Sequence, residues 1–96
     1  MRVISMAPLR EFWDQHPESR ASLSDWLRRA KACHASDFIA LRREFPAADY
    51  VEGLTVFNVG GNNYRLVAAI HYNRQMLYVR AVLTHADYDR DKWKRR

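Results

Sequence analysis

Apolar positions recur every third or fourth residue through the first half of the chain and every second residue through the second half, so helices precede strands. Leu9, Phe12, Trp13 and His16 follow the spacing of one helix face. They predict a helix from Met6, with Pro8 tolerated in its first turn and Pro17 as its stop. A second helix begins near Glu18, with Leu23, Trp26, Leu27, Ala30 and then Cys33 inward and Arg20, Asp25, Arg28, Arg29 and Lys31 on the other side. Two antiparallel helices joined by a tight turn at Pro17 make an αα-hairpin. Ser36 caps a third, short helix from Asp37 to Phe45, ended by Pro46, with Phe38, Leu41 and Phe45 inward. Met1–Ser5 reads as an edge strand.

The alternating half divides into strands at Leu54–Val59, Asn62–Tyr72 and Gln75–Thr84. Gly60-Gly61 makes the first hairpin turn, because glycine readily takes the positive φ that such turns require, and Asn73-Arg74 makes the second. With side chains alternating across the sheet, Thr55, Phe57, Val59, Tyr64, Leu66, Ala68, Ile70, Leu77, Val79, Ala81 and Leu83 share one apolar face that receives the helices. The other face carries Val56, Asn58, Arg65, Val67, His71, Tyr78, Arg80 and Val82. This register sets Arg65 opposite Val82 and Val67 opposite Arg80, so the two arginines become neighbours, an arrangement that an anion would stabilise. A slip of one residue would bury Arg65 against the helices, which disfavours it. The predicted fold is α+β: an N-terminal edge strand, a helical hairpin and a short third helix packed on an antiparallel sheet.

Ninety-six residues make one domain, 1–96, with 48% hydrophobic residues and only 3 Gly and 3 Pro, as expected of an ordered globular chain. No apolar run reaches membrane-spanning length, and the first residues lack the apolar segment of a signal peptide, so a cytoplasmic protein is expected. Cys33 is alone, which excludes an intrachain disulfide and a cysteine-based zinc cluster. The net charge of +5 is unevenly spread: residues 1–48 carry +2, residues 49–89 carry −1, and the tail 90–96 carries +4. A basic chain of this kind suits a polyanion partner, although most of the excess lies in the tail.

Beyond the last strand comes Thr84-His85-Ala86-Asp87-Tyr88-Asp89, which adds an imidazole and a phenol to the two arginines. Such a set can handle a phosphodiester without a metal. Asp87, Asp89 and Asp91 alternate, but an EF-hand-type calcium loop would need glycine where Lys92 stands, and Arg90 and Lys92 flank the carboxylates; no metal or other cofactor is expected. No helix pair has the basic recognition face of a DNA-binding helix-turn-helix. Strict alternation would point His85 toward the helices, so its participation requires the strand to end or bulge at Thr84.

Phe57-Asn58-Val59-Gly60-Gly61-Asn62 with Tyr64-Arg65-Leu66-Val67, then Tyr78-Val79-Arg80 and Thr84-His85-Ala86-Asp87-Tyr88-Asp89, resembles the HigB-type mRNA interferase toxins of the RelE superfamily. The resemblance is specific over roughly residues 49 to 92, and the helical half agrees in length and order. It implies a compact RelE-like ribonuclease that enters the ribosomal A site and cuts translated mRNA without metal. It also implies a cognate HigA-like helix-turn-helix antitoxin encoded alongside, with DNA contacted only through that antitoxin. By the same resemblance Arg65 is the middle-strand arginine, His85 the catalytic group after the last strand, and Tyr88 the C-terminal tyrosine. The sheet departs from lysine-rich relatives in having no lysine, which leaves the general-base role to His85.

The roles expected are therefore Arg65 on the scissile phosphate, His85 as acid or base and Tyr88 stacking on or orienting a base. Arg80 supplies supporting charge. Asn58, Arg74, Arg80, Lys92, Lys94, Arg95 and Arg96 are the further RNA-binding candidates. A non-catalytic module that binds RNA or the ribosome and blocks translation would need the same basic face, and His85 is the residue that separates the two readings.

Overall fold

The computed structural model describes residues 1–90. Its elements are β1 (Arg2–Ile4), α1 (Ala7–Gln15), α2 (Arg20–Ala32), α3 (Phe38–Glu44), β2 (Asp49–Val51), β3 (Leu54–Val59), β4 (Tyr64–His71), β5 (Met76–Thr84) and α4 (His85–Asp89). Short 3₁₀ turns at Pro17–Ser19 and Tyr72–Arg74 join α1 to α2 and β4 to β5. The α+β class and the N-terminal edge strand are as expected. The sheet is mixed rather than antiparallel: its order is β1-β5-β4-β3-β2, and β1 runs parallel to β5. A parallel neighbour is reached only by crossing over the sheet, which the intervening helices and strands do here.

Pro17 ends α1, and Leu9 and Phe12 are buried beneath it. The third helix starts one residue later than predicted. Asp37, not Ser36, is its cap, accepting from the Ala40 N–H at 2.8 Å. Helix α1 packs chiefly along β5, and α2 against β1 and β3. Leu23, Trp26, Leu41, Phe57, Leu66, Leu77 and Val79 form the core between helices and sheet. Trp26 meets Phe57 edge-on at 5.3 Å, while Trp13 is half-buried under the Arg20 guanidinium.

Two departures in the sheet matter for the site. Asn62 and Asn63 belong to the first turn, not to the strand: Val59 pairs with Tyr64, and the Asn63 N–H donates to the Gly60 carbonyl. Moving the turn by two residues in the pairing keeps every side chain on its expected face. The second departure is a β-bulge. Ile70 pairs with Leu77 and Ala68 with Val79 as expected, but Val67 pairs with Ala81, leaving Arg80 without a partner on β4. From there on every β5 side chain changes face. Val82 turns to the helices, while Ala81 and Leu83 join Val56 and Val67 in a second small cluster on the far face.

Candidate active site

The turn Gly60–Asn63 builds one side of the site. Gly60 and Gly61 have φ of +64° and +67°, and a Cβ on Gly60 would lie 3.0 Å from the Tyr64 ring and 3.2 Å from the Ser22 hydroxyl. Only glycine fits there without displacing both neighbours. The turn aims Asn62 back at Arg65. The Arg65 Nη2 donates to Asn62 Oδ1 at 2.7 Å, and Nη1 donates to the carbonyls of Asn62 at 3.3 Å and Tyr64 at 3.1 Å. Arg65 is only 8% exposed, yet these acceptors satisfy most of its guanidinium.

Helix α4 builds the other side. The Thr84 hydroxyl accepts from the Asp87 N–H at 3.2 Å, and the His85 N–H donates to the Asn63 carbonyl at 3.0 Å. A threonine cap followed by a bond back to the turn ends β5 and swings the chain over the sheet face that carries Arg65. His85 Nδ1 then sits 3.0 Å from Arg65 Nη2, and His85 Nε2 sits 3.3 Å from Asp89 Oδ2 one helical turn on. The Tyr88 ring lies 5.7 Å from the Arg65 guanidinium carbon and packs on the Val56–Val67–Ala81 cluster. Arg65, His85 and Tyr88 are thus brought together, with His85 exposed at the surface.

The remaining candidates are dispersed. Arg80 does not stand beside Arg65: Leu83 is opposite Arg65, and Arg80 lines a groove of ≈ 370 Å³ with Pro8, Glu11, Phe12 and Gln15 of α1. A charged residue in the register expected for Arg80 would face buried Val67 and Val56; the bulge expels it to solvent where β5 has outrun β1. Asn58 is exposed directly across from Arg65 and also borders a cavity of ≈ 410 Å³ with Asp25, Trp26 and Arg29. Arg74 lies in the turn beyond the opposite end of β4, about 20 Å along the strand from Arg65. Lys92, Lys94, Arg95 and Arg96 lie outside the described residues.

Two contributors to the site were not among the candidates. Asn62 follows a Gly-Gly turn, where an Asn side chain commonly bonds back to neighbouring groups. Asp89 stands four residues after His85, the spacing at which helical side chains meet. What this arrangement offers chemically is a buried fork of N–H donors beside an exposed imidazole and a phenol ring, groups able to meet an anionic ligand.

Among proteins of known kind, the HigB toxin family, described as the RelE-like toxic component of a toxin–antitoxin system, matches residues 19–91. The mRNA interferase toxin HigB of Escherichia coli K12 is 30% identical over 92 residues, covering 93% of this chain and 88% of the relative. The mRNA interferase HigB of Escherichia coli O6:H1 is 32% identical over 93 residues, covering 94% and 90%. The family match extends over both halves of the fold and includes the Gly-Gly turn, the bulged strand and α4. This chain belongs to the HigB family of RelE-like toxins, and as the toxic component of a toxin–antitoxin system it has an antitoxin for a partner.

Proposed function

We propose that the chain is an endoribonuclease toxin that cuts mRNA in the ribosomal A site, without metal, and is neutralised by a HigA-like helix-turn-helix antitoxin. The single observation that carries this reading is the contact of Arg65 with His85 at 3.0 Å under the Tyr88 ring. In the reaction the ribose 2′-oxygen bonds to phosphorus and the bond from phosphorus to the 5′-oxygen breaks. The 2′-hydroxyl proton passes to His85, a proton is returned to the departing 5′-oxygen, and Arg65 holds the charge that builds on the phosphoryl oxygens. The products are a 2′,3′-cyclic phosphate and a free 5′-hydroxyl. Tyr88 stacks on or orients a base, and Asn58 contacts the message next to Arg65. Arg74, Arg80 and the tail cations Lys92, Lys94, Arg95 and Arg96 bind backbone phosphates away from the cut. A ribosomal target places the protein in the cytoplasm.

The test is cleavage of a defined message on programmed ribosomes, with analysis of the new ends. His85→Ala lowers the cutting rate by about 10²–10⁴-fold. Arg65→Lys, which keeps the charge but loses the fork, lowers it by about 10²-fold or more. A His85→Ala protein that arrests translation while leaving the message whole would favour the blocking module instead. One that cuts like the parent removes His85 from the mechanism. Sulfur in place of a non-bridging oxygen at the scissile phosphate gives a defect that manganese does not relieve; relief would show a metal at the reaction centre.

A further inference from the structure

We infer that Asp89 and Asn62 are positioning residues, acting through His85 and Arg65, and that together these contacts fix the resting imidazole with its proton on Nε2. The mechanistic half of this inference rests on the function proposed above; the tautomer does not.

A guanidinium has donors and no acceptor. The 3.0 Å contact from Arg65 Nη2 therefore makes His85 Nδ1 the accepting nitrogen. The neutral ring then carries its proton on Nε2, and Asp89 Oδ2 lies 3.3 Å from that nitrogen, an ion-pair contact once the ring is protonated. His85 and Asp89 are the first and last residues of α4, so the cap at Thr84 that turns the chain also sets this pair. On the arginine side, Asn62 takes one proton of Nη2 through its side chain and one of Nη1 through its carbonyl. Both protons of Nη2 are committed, one to Asn62 and one to His85, so the guanidinium can rotate about neither contact alone.

This geometry gives the site an order of events. A phosphate that claims Nη2 displaces His85 Nδ1 from its donor. The nitrogen freed is the basic one, and it lies within hydrogen-bond reach of the group the phosphate has just met. Asp89, 3.3 Å from Nε2, meanwhile stabilises the imidazolium formed when Nδ1 takes the 2′-hydroxyl proton. The arginine thus shields the base until the substrate arrives, and Asn62 determines how readily the guanidinium lets go.

Nitrogen-15 NMR of the imidazole in the full-length protein, at about pH 8 so that ordinary histidines are neutral, reads the tautomer directly. Nε2–H as the dominant form is expected; a dominant Nδ1–H form overturns the inference. Kinetics on programmed ribosomes supply the second arm. Asp89→Asn lowers kcat about tenfold with KM changed less than twofold, and Asp89→Glu restores part of the loss. Asn62→Ala also raises the population of the Nδ1–H form. Asp89→Asn protein that cuts at the parental rate, or a loss matched by a lowered melting temperature with the tautomer unchanged, excludes a positioning role. If His85→Ala cuts normally while the parent protein shows the Nε2–H tautomer, His85 leaves the mechanism and the positioning role of Asp89 falls with it, while the hydrogen-bonding assignment stands.

Discussion

Arg65 shows how one side chain can be buried, charged and still available. Its aliphatic stem lies in the sheet, and its head is held by carbonyls, an amide oxygen and an imidazole, none of which neutralises it. A buried charge satisfied only by neutral acceptors favours an incoming anion more than one already paired with a carboxylate would. The residue that permits this is Gly60. Its positive φ strains any other residue, and a methyl group there would press on the Tyr64 ring at 3.0 Å. Gly60→Ala should destabilise the fold by about 1–3 kcal/mol, seen as a lower denaturation midpoint at unchanged slope, and should reduce cleavage by displacing Asn62. Unchanged stability would show that the turn reaches another conformation at little cost.

At the scale of elements, the bulge in β5 and the cap of α4 act in series. The bulge changes the face of Ala81, Val82 and Leu83, and the cap then ends the strand, so that His85 arrives above Arg65 rather than beneath the helices. Thr84→Val keeps the shape and branching of the side chain but removes the hydroxyl. The α4 turn should lose about 1 kcal/mol of cap energy while the global melting temperature moves by only a few degrees, because α4 contributes little to the main core. Cleavage should fall far more than stability does. Hydrogen exchange at Asp87 and Tyr88 checks the local loosening, and equal losses of activity and global stability would contradict this separation.

At the scale of the molecule, two buried titratable groups set a stability limit at high pH. Burial raises the pKa of the Cys33 thiol, as it does that of the Tyr72 phenol. For groups held neutral in the folded state, the folded protein binds more protons than the unfolded chain once the unfolded groups begin to ionise. Their contribution is therefore intact below the ordinary thiol and phenol range, about pH 8.5–10, and is lost as pH rises through the raised values. Denaturation midpoints should fall across that interval, less steeply in Cys33→Ala once its own cavity cost is subtracted. Native Cys33 should also resist alkylation that the unfolded chain undergoes readily. A midpoint flat to about pH 11 would remove both groups from the account.

The sequence by itself determined the elements and their order, because period and punctuation are local: Leu9, Phe12, Leu23 and Trp26 repeat as a helix does, Pro17 and Pro46 stop helices, and Gly60-Gly61 turns the chain. It also put Arg65 on the open face, since alternation along β4 runs uninterrupted to its end. What it left open was decided by tertiary pairing. The parallel partner of β1 lies more than seventy residues away in the chain, beyond the reach of any local signal. The bulge at Arg80 follows from what the opposite strand and the second small core admit, and that is why Arg80 and Arg65 part company. Asn62 and Asp89 meet the site only because the turn before β4 and α4 after β5 come together at the open end of one hairpin. Alternation assigns a residue to a face, but whether two residues on that face touch depends on register, and register is settled by packing across the whole sheet.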